Sequence, residues 1–371
     1  MRIALIALLT LLVVHGAIHL LGFLKAWGLA ALPQMSGRTI ITLGATATQV
    51  VGLLWLLAAV ILLATAALRI AAIEGWWIAG AVGLVLSQAL VILAWPDAKA
   101  GTIANLILLV PVLAAGATAR FDHKVAAERS TLLADAVTMP AAPVRAEELA
   151  DLPAPVRRWL TRAGVVGRPR ASRVHLSQRG MMRTTQGGAW MPTTAEQDFS
   201  VEPPGFVWQV RTTMLRVLPI VGRDRYHRGV GSMLITAAGL YPFVDASGPQ
   251  IDLGARLRFL GEIVWFPSAA LSPRIRWSPI GDDTARATLV DGDEAVSAEF
   301  RFDAVGRFIA LEAERAYGDE VGGRQRWIVT ASEWRRHSNI EIPTRGEVLW
   351  RLPAGDFTYF RWQVDDLQLE P

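Results

Sequence analysis

The chain has 371 residues, 52% of them hydrophobic and 19% charged, with a formal net charge of +4 and no cysteine. Without thiols there are no disulfides, thiolate nucleophiles or cysteine-ligated zinc or iron–sulfur centres. Residues 120–371 hold 32 basic against 31 acidic groups, so the basic surplus that a nucleic-acid binder carries on one face is missing.

Four long apolar stretches come first, at residues 3–24, 39–68, 75–95 and 101–119. A helix needs about 20 apolar residues to cross a hydrocarbon core of about 30 Å, so each predicts a transmembrane helix. The second exceeds that length and is expected to tilt or to extend past the interface. The first is too long for a signal h-region and is read as an uncleaved span. Four spans put both termini on one side, with Arg2, Arg69, Arg120, Lys124 and Arg129; Lys25, Arg38 and Lys99 fall on the other. The positive-inside rule then places the soluble part in the cytoplasm. His15 and His19, four residues apart, share one face of the first helix. An intramembrane ionisable pair raises a metal, haem or proton-path reading. No intramembrane Asp, Glu or Cys supplies a third ligand, so interhelical hydrogen bonding with Gln49, Ser87, Gln88 and Asn105 is the preferred role. No metal or other cofactor is expected.

Residues 120–150 read as a helical extension and a linker bounded by Pro140 and Pro143. Residues 145–163 carry apolar groups at helical spacing, interrupted by Pro153 and Pro155, and predict two short helices. From Ala171 the period changes to two. Short alternating segments such as Phe206/Trp208/Val210 and Trp327/Val329 are separated by turn signals, Gly187-Gly188, Asp291-Gly292 and Gly322-Gly323 among them. They predict ten to twelve antiparallel strands. Residues 250–270 return to the helical period, with Asp252 as a cap. The expected fold is a four-helix transmembrane bundle (1–119), the extension and linker (120–150), and an α+β domain (151–371). In that domain a large curved antiparallel sheet carries one covering helix.

Motifs for chemistry are absent. There is no HExxH, GxSxG or GxxxxGK[ST] pattern, and the soluble histidines are scattered. Eight arginines and no acid lie between residues 152 and 195, whereas 281–320 holds eleven acids and four arginines. The two regions can pair with each other. Alternatively Arg157, Arg158, Arg162, Arg168, Arg170 and Arg173 face anionic headgroups. Nine of the 14 tryptophans lie beyond residue 119, several at alternate strand positions. They form either an ordinary core or the wall of a cavity between sheet and helix. For such a cavity Trp265 and Trp277 are expected in the wall, with Tyr226, His227 and Tyr241 as polar contacts at its mouth. Glu262, inside an apolar segment, is read as a carboxyl in the pocket or as the polar side of the helix.

Several segments carry a resemblance: HGAIHLLGFLKA (15–26), GEIVWFPSAAL (261–271), FRFDAVG (300–306), IPTRGEVLW (342–350) and GDFTY (355–359). The chain resembles a bacterial family of membrane proteins classed as a domain of unknown function, over most of residues 150–371. That likeness transfers no catalytic residue. In strand count and middle helix the domain is also similar to lipoprotein-carrier half-barrels, whose curved sheet holds acyl chains. The layout of the four spans resembles DoxX-like membrane proteins. The expected function is therefore binding of a lipid or other apolar ligand at the membrane surface, with membrane lipids as partners and no nucleic acid; no protein partner is identified. The alternatives are a membrane-bound redox or hydrolytic enzyme and a scaffold that binds proteins through the sheet edge.

Overall fold

The computed structural model describes residues 2–138, 142–215, 218–318 and 323–371. Pro140 and Gly322, named above as a linker boundary and part of a turn, lie outside the described residues. The chain divides into two compact units, Met1–Asp122 with Ala238–Leu240, and His123–Ala237 with Tyr241–Pro371.

The first unit is helical: α1 (Arg2–Ala26), α2 (Ala45–Ile70), α3 (Trp76–Leu93), the single turn α4 (Trp95–Ala98) and the first part of α5 (Gly101–Asp135). Apart from α4, these helices are long and apolar enough to cross a membrane, which supports a membrane protein. Their contact face is built on Leu12, Leu62, Leu84 and Leu108, all buried. Large apolar side chains point outward instead, Val85 being 73% exposed. In water such a surface would be costly; in lipid it is the solvated face. The second span is shorter than its apolar stretch. Residues 39–44 are not helical, and α2 begins at Ala45. The fourth is longer, because α5 runs without a break into the polar extension.

The second unit begins with residues 123–135 of α5. A short 3-10 turn at Ala146–Leu149 and α6 (Ala154–Ala163) follow, as the proline pattern predicts. Thirteen antiparallel strands come next, slightly more than the turn signals indicate. They are β1 (Arg173–Met182), β2 (Met191–Ser200), β3 (Gly205–Met214), β4 (Leu218–His227), β5 (Val230–Ala237), β6 (Tyr241–Ser247), β7 (Ile275–Pro279), β8 (Thr284–Asp291), β9 (Glu294–Phe302), β10 (Phe308–Ala316), β11 (Arg324–His337), β12 (Ile340–Leu352) and β13 (Gly355–Glu370). Their order is β6-β5-β4-β3-β2-β1-β13-β12-β11-β10-β9-β8-β7, a meander in which β1 and β13 pair at the centre. Most hairpins are tight. At the β11–β12 hairpin Ser338 and Asn339 both take positive φ, the pairing that matches strand twist in a two-residue turn.

The helix α7 (Pro249–Glu262) joins β6 to β7 and ends earlier than its apolar period implies. Residues Ile263–Trp265 and Pro267–Leu271 continue as 3-10 turns. Phe266, with φ −135° and ψ 68°, breaks the run, since the residue before a proline is driven out of the helical region. The sheet curves around α7. The helix packs against β3–β6 on one margin and β8–β10 on the other, strands that lie at opposite ends of the sheet order.

Candidate functional site

The seating of α7 determines the shape of the concave face. At its start the Gly231 amide donates to Asp252 Oδ1 at 2.6 Å. The carboxylate read as a helix cap therefore ties α7 to β5 instead. A side chain at Gly231 would put its Cβ 2.6 Å from the Ile251 carbonyl, so a glycine lets the helix come this close.

Farther along, Arg256 Nε donates to Tyr226 Oη at 2.9 Å, and Tyr226 Oη donates to Asp291 at 2.5 Å. This bond joins β4 to β8 across the mouth of the curved sheet. Burial, reinforced by the Asp291 carboxylate, pushes the Tyr226 phenol above its ordinary range, and it stays a neutral donor. Two residues on, Arg258 reaches Asp224 at 2.6 Å and Glu262 at 2.7 Å. Its guanidinium lies over the Phe206 and Trp208 rings, 4.9 and 4.6 Å from their centroids, and Gln197 donates to Glu262 at 2.8 Å. Burial raises the Glu262 carboxyl, opposed by the Arg258 charge beside it. Removing one member of such a group strands the others in low dielectric.

Beside β2–β4 the space beneath α7 is full. Phe199, Phe206, Phe259 and Phe266 are fully buried and stack with centroids 4.7–6.3 Å apart. Trp265 packs on Trp362 at 5.4 Å. Trp277 sits between Trp159 and Phe300, and its Nε1 donates to the Ala270 carbonyl at 3.0 Å.

Beside β8–β10 the space is open. Ala287 faces Ala298, and Ala313 faces Trp327, across their strand pairs. Beyond Glu299 and Glu312, where the β9–β10 pairing ends, a cleft of about 860 Å³ opens between α7 and the sheet, lined by Leu253, Gly254, Leu257, Val296, Ala298 and Ala313 among others. Arg315 is the next inward-facing position on β10 and also lines the cleft. Its guanidinium lies over Trp327 and Trp350, 5.2 and 5.9 Å from their centroids.

None of the six residues expected to contact ligand lines this cleft. Tyr226, Glu262 and Trp265 are buried in the filled half and hold α7 in place, and Trp277 belongs to the neighbouring aromatic cluster. Tyr241 is 66% exposed on the edge strand β6. His227 points to the opposite face of the sheet. There Arg225 donates to its Nδ1 at 2.9 Å, so Nε2 carries the proton and donates to Asp135 at 2.8 Å. That face receives the end of α5: Arg129 pairs with Asp198 at 2.8 Å, Glu128 with Arg223 at 2.9 Å, and Asp135 with Arg228 at 2.7 Å. Sequence reasoning missed Arg258 and Arg315. The signal for Arg315 was a cation in phase with the buried positions Leu311 and Ala313 of an alternating strand.

The basic run is largely partnered. Arg162 pairs with Glu341 at 2.9 Å and Arg173 with Glu370 at 3.9 Å. Arg170 pairs with Glu148 and also donates to the Leu271 carbonyl at 3.1 Å. Arg168 donates to the Gly164 carbonyl at 3.1 Å. Arg157 and Arg158 are exposed on α6, where they border a shallow basin with Arg162 and Arg336.

In the helical unit, both histidines are hydrogen-bonded across helices. His15 Nε2 donates to Asn105 Oδ1 at 2.8 Å, and His19 Nδ1 donates to the His15 carbonyl at 2.7 Å. His19 Nε2 is hydrogen-bonded to Ser87 Oγ at 2.8 Å, and Ser87 Oγ also lies 2.9 Å from Asn105 Oδ1; Asn105 Nδ2 donates to Gln88 at 3.0 Å. Among the described residues no group of three or more His, Cys, Asp or Glu is placed to hold a metal. The pair borders a second cavity of about 890 Å³, with Trp55 on its wall and Lys25, Arg38 and Asp97 also lining it.

Residues 142–362 match the model of a family of unknown function, DUF6544. Two solved structures show a distant likeness. A LolA superfamily protein from Nitrosomonas europaea is 12% identical with a TM-score of 0.27, over 54% of this chain and 87% of that one. A beta-barrel-like protein of the domain of unknown function DUF1849 from Brucella abortus is 10% identical with a TM-score of 0.19, over 54% of this chain and 99% of that one. No curated protein matches the chain. The family match spans more than half of the residues, and the chain belongs to the DUF6544 family.

Proposed function

We propose that this is a multi-pass protein of the bacterial inner membrane whose β-rich domain (residues 151–371) binds a lipid or similar amphiphile on the cytoplasmic side. The four-span bundle (1–119) anchors it, and residues 120–150 connect the two. The observation that carries the reading is the cleft between α7 and β8–β10. At about 860 Å³ it lies within the range of sites that bury small ligands. Leu253, Leu257, Val296, Ala298 and Ala313 form an aliphatic part of its wall inside a charged surround, and burying a hydrocarbon chain against that part contributes about 25 cal/mol per Å². Tyr226, Glu262 and Trp265 serve the site by fixing α7. Arg157 and Arg158 each donate to a backbone carbonyl, of Ala150 and Asp282, and their remaining exposed N–H groups can meet anionic headgroups.

The test uses the full chain in its native membrane and a long-chain alcohol bearing a photoactivatable diazirine. Mass spectrometry of the labelled peptides should find adducts within 294–299 and 311–316. Val296→Trp, which fills the cleft, should remove those adducts while leaving labelling of the spans unchanged. Labelling confined to the spans would defeat the reading.

A further inference from the structure

The charges around the cleft are unevenly matched. Four carboxylates border it, and each has an arginine within 4.0 Å: Glu299 with Arg286 at 2.8 Å, Glu312 with Arg301 at 3.3 Å, Glu314 with Arg326 at 3.9 Å and Glu294 with Arg256 at 4.0 Å. Arg315 has no carboxylate partner among the described residues. Arg324 also lines the cleft without a carboxylate partner among the described residues, but it is exposed and donates to the Glu314 carbonyl at 3.2 Å; position is what sets Arg315 apart. β10 alternates, and Leu311 and Ala313 lie on the inner, buried face with Arg315 next in phase. Glu312 and Glu314 take the other face and pair there.

The guanidinium is also held in place. Trp327 and Trp350 support it from the sheet side, and α7 crosses above it at Gly254. A Cβ at that glycine would lie 2.8 Å from Arg315 Nη2, so any other residue would displace the cation. Stacking on aromatic faces suits arginine because it is weakly hydrated, and its planar fork remains free to bind carboxylate or phosphate oxygens. An inward-facing cation without a counter-charge is unfavourable in a half-buried site. An anionic ligand relieves that cost, and a neutral one does not.

We propose that the cleft selects anionic amphiphiles: a carboxylate or phosphate head bound by Arg315, with the hydrocarbon chain along Ala298, Ala313, Val296 and Leu257. This rests on the lipid-binding reading above and adds the class of head group.

The full chain in its native membrane is labelled with four diazirine probes: a long-chain fatty acid, the matching alcohol, a phosphatidic acid and the matching diacylglycerol. The cleft peptides 294–299 and 311–316 should be labelled about tenfold more by at least one anionic probe than by its neutral partner, the factor expected for a charge-assisted hydrogen bond. The acid and phosphatidic acid arms separate a free carboxylate from a lipid phosphate. Arg315→Gln should abolish the preference without reducing neutral labelling, and Arg315→Lys should restore part of it. Arg276→Gln, which removes an equal charge elsewhere on the domain, should leave it intact. Thermal melting of each variant checks its fold. Equal cleft labelling by each anionic probe and its neutral partner would overturn the head-group proposal. So would an equal loss of preference in Arg276→Gln, which would indicate a diffuse field. If no probe reaches these peptides, the lipid-binding reading itself fails.

Discussion

The two margins of the sheet approach the same helix and treat it differently. Toward β2–β4, α7 meets Phe199, Phe206, Trp208 and Tyr226, and the space is filled. Toward β8–β10 it meets Val296, Ala298 and Ala313, and the space is open. Backbone pairing is continuous between β3 and β4 on the filled side, whereas β9 and β10 pair only as far as Glu299 and Glu312, so the cleft opens where these two strands part. One margin fixes the helix, and the fixed helix keeps the other margin from collapsing.

This contrast can be broken from the filled side. Arg258→Ala leaves Glu262 and Asp224 without their cation and should cost about 3–5 kcal/mol, read as a large fall in the thermal midpoint of the solubilised protein. A near-native midpoint would mean that the group is hydrated. Phe206→Ala should cost about 3 kcal/mol or more. Val296→Ala on the cleft side should cost less than about 1 kcal/mol, because the two methyl groups it removes already border open space. Equal losses at the two positions would erase the distinction between the margins.

Two further variants should leave the contrast intact. Asn105→Ala removes the acceptor of His15 and the donor to Gln88 in the helical unit. It should lower stability by about 1 kcal/mol without changing cleft labelling. His15→Gln and His19→Gln should be milder still, since an amide keeps one hydrogen bond; metal bound to the wild type and lost in both variants would contradict a packing role. The smallest effect is expected at His175. Its hydrogen bond to Asp198 at 2.8 Å raises its affinity for a proton, against the opposing effect of burial. A raised folded-state pKa contributes stability that is complete below about 6.5 and is lost as pH rises through the folded value. The partly exposed ring limits the contribution to under about 1 kcal/mol. A thermal midpoint measured from pH 5.5 to 8 should therefore fall slightly in the wild type relative to His175→Gln, and parallel curves would remove His175 from the account.

Much of the architecture was legible because it depends on local period. The spans, α6, the alternating strands and α7 all follow from spacing, as does the early end of α7 once the Phe266–Pro267 pair is weighed. The site was less legible, because it depends on distant pairings. Tyr226 and His227 are adjacent on β4 and point to opposite faces, so reading them together as one polar contact joined groups that the pleat separates. Tyr226 meets Asp291, 65 residues away, through a curvature that no local pattern encodes. The tryptophans read as an ordinary core or as the wall of a cavity; large rings fill the closed half, and the cleft lies where β9 and β10 part, a separation that alternation along each strand does not encode.

The ends of the strand order have a consequence of their own. A thirteen-stranded open sheet leaves β6 and β7 as free borders, and an exposed border invites another chain to add a strand. Each border contains a proline, Pro242 in β6 and Pro279 in β7, and a proline has no amide hydrogen to offer an incoming strand. β7 is also only five residues long, and β6 pairs with β5 through an irregular register. Recruitment of a partner by strand addition is therefore disfavoured at both borders, and so is end-to-end stacking of neighbouring copies in a crowded membrane.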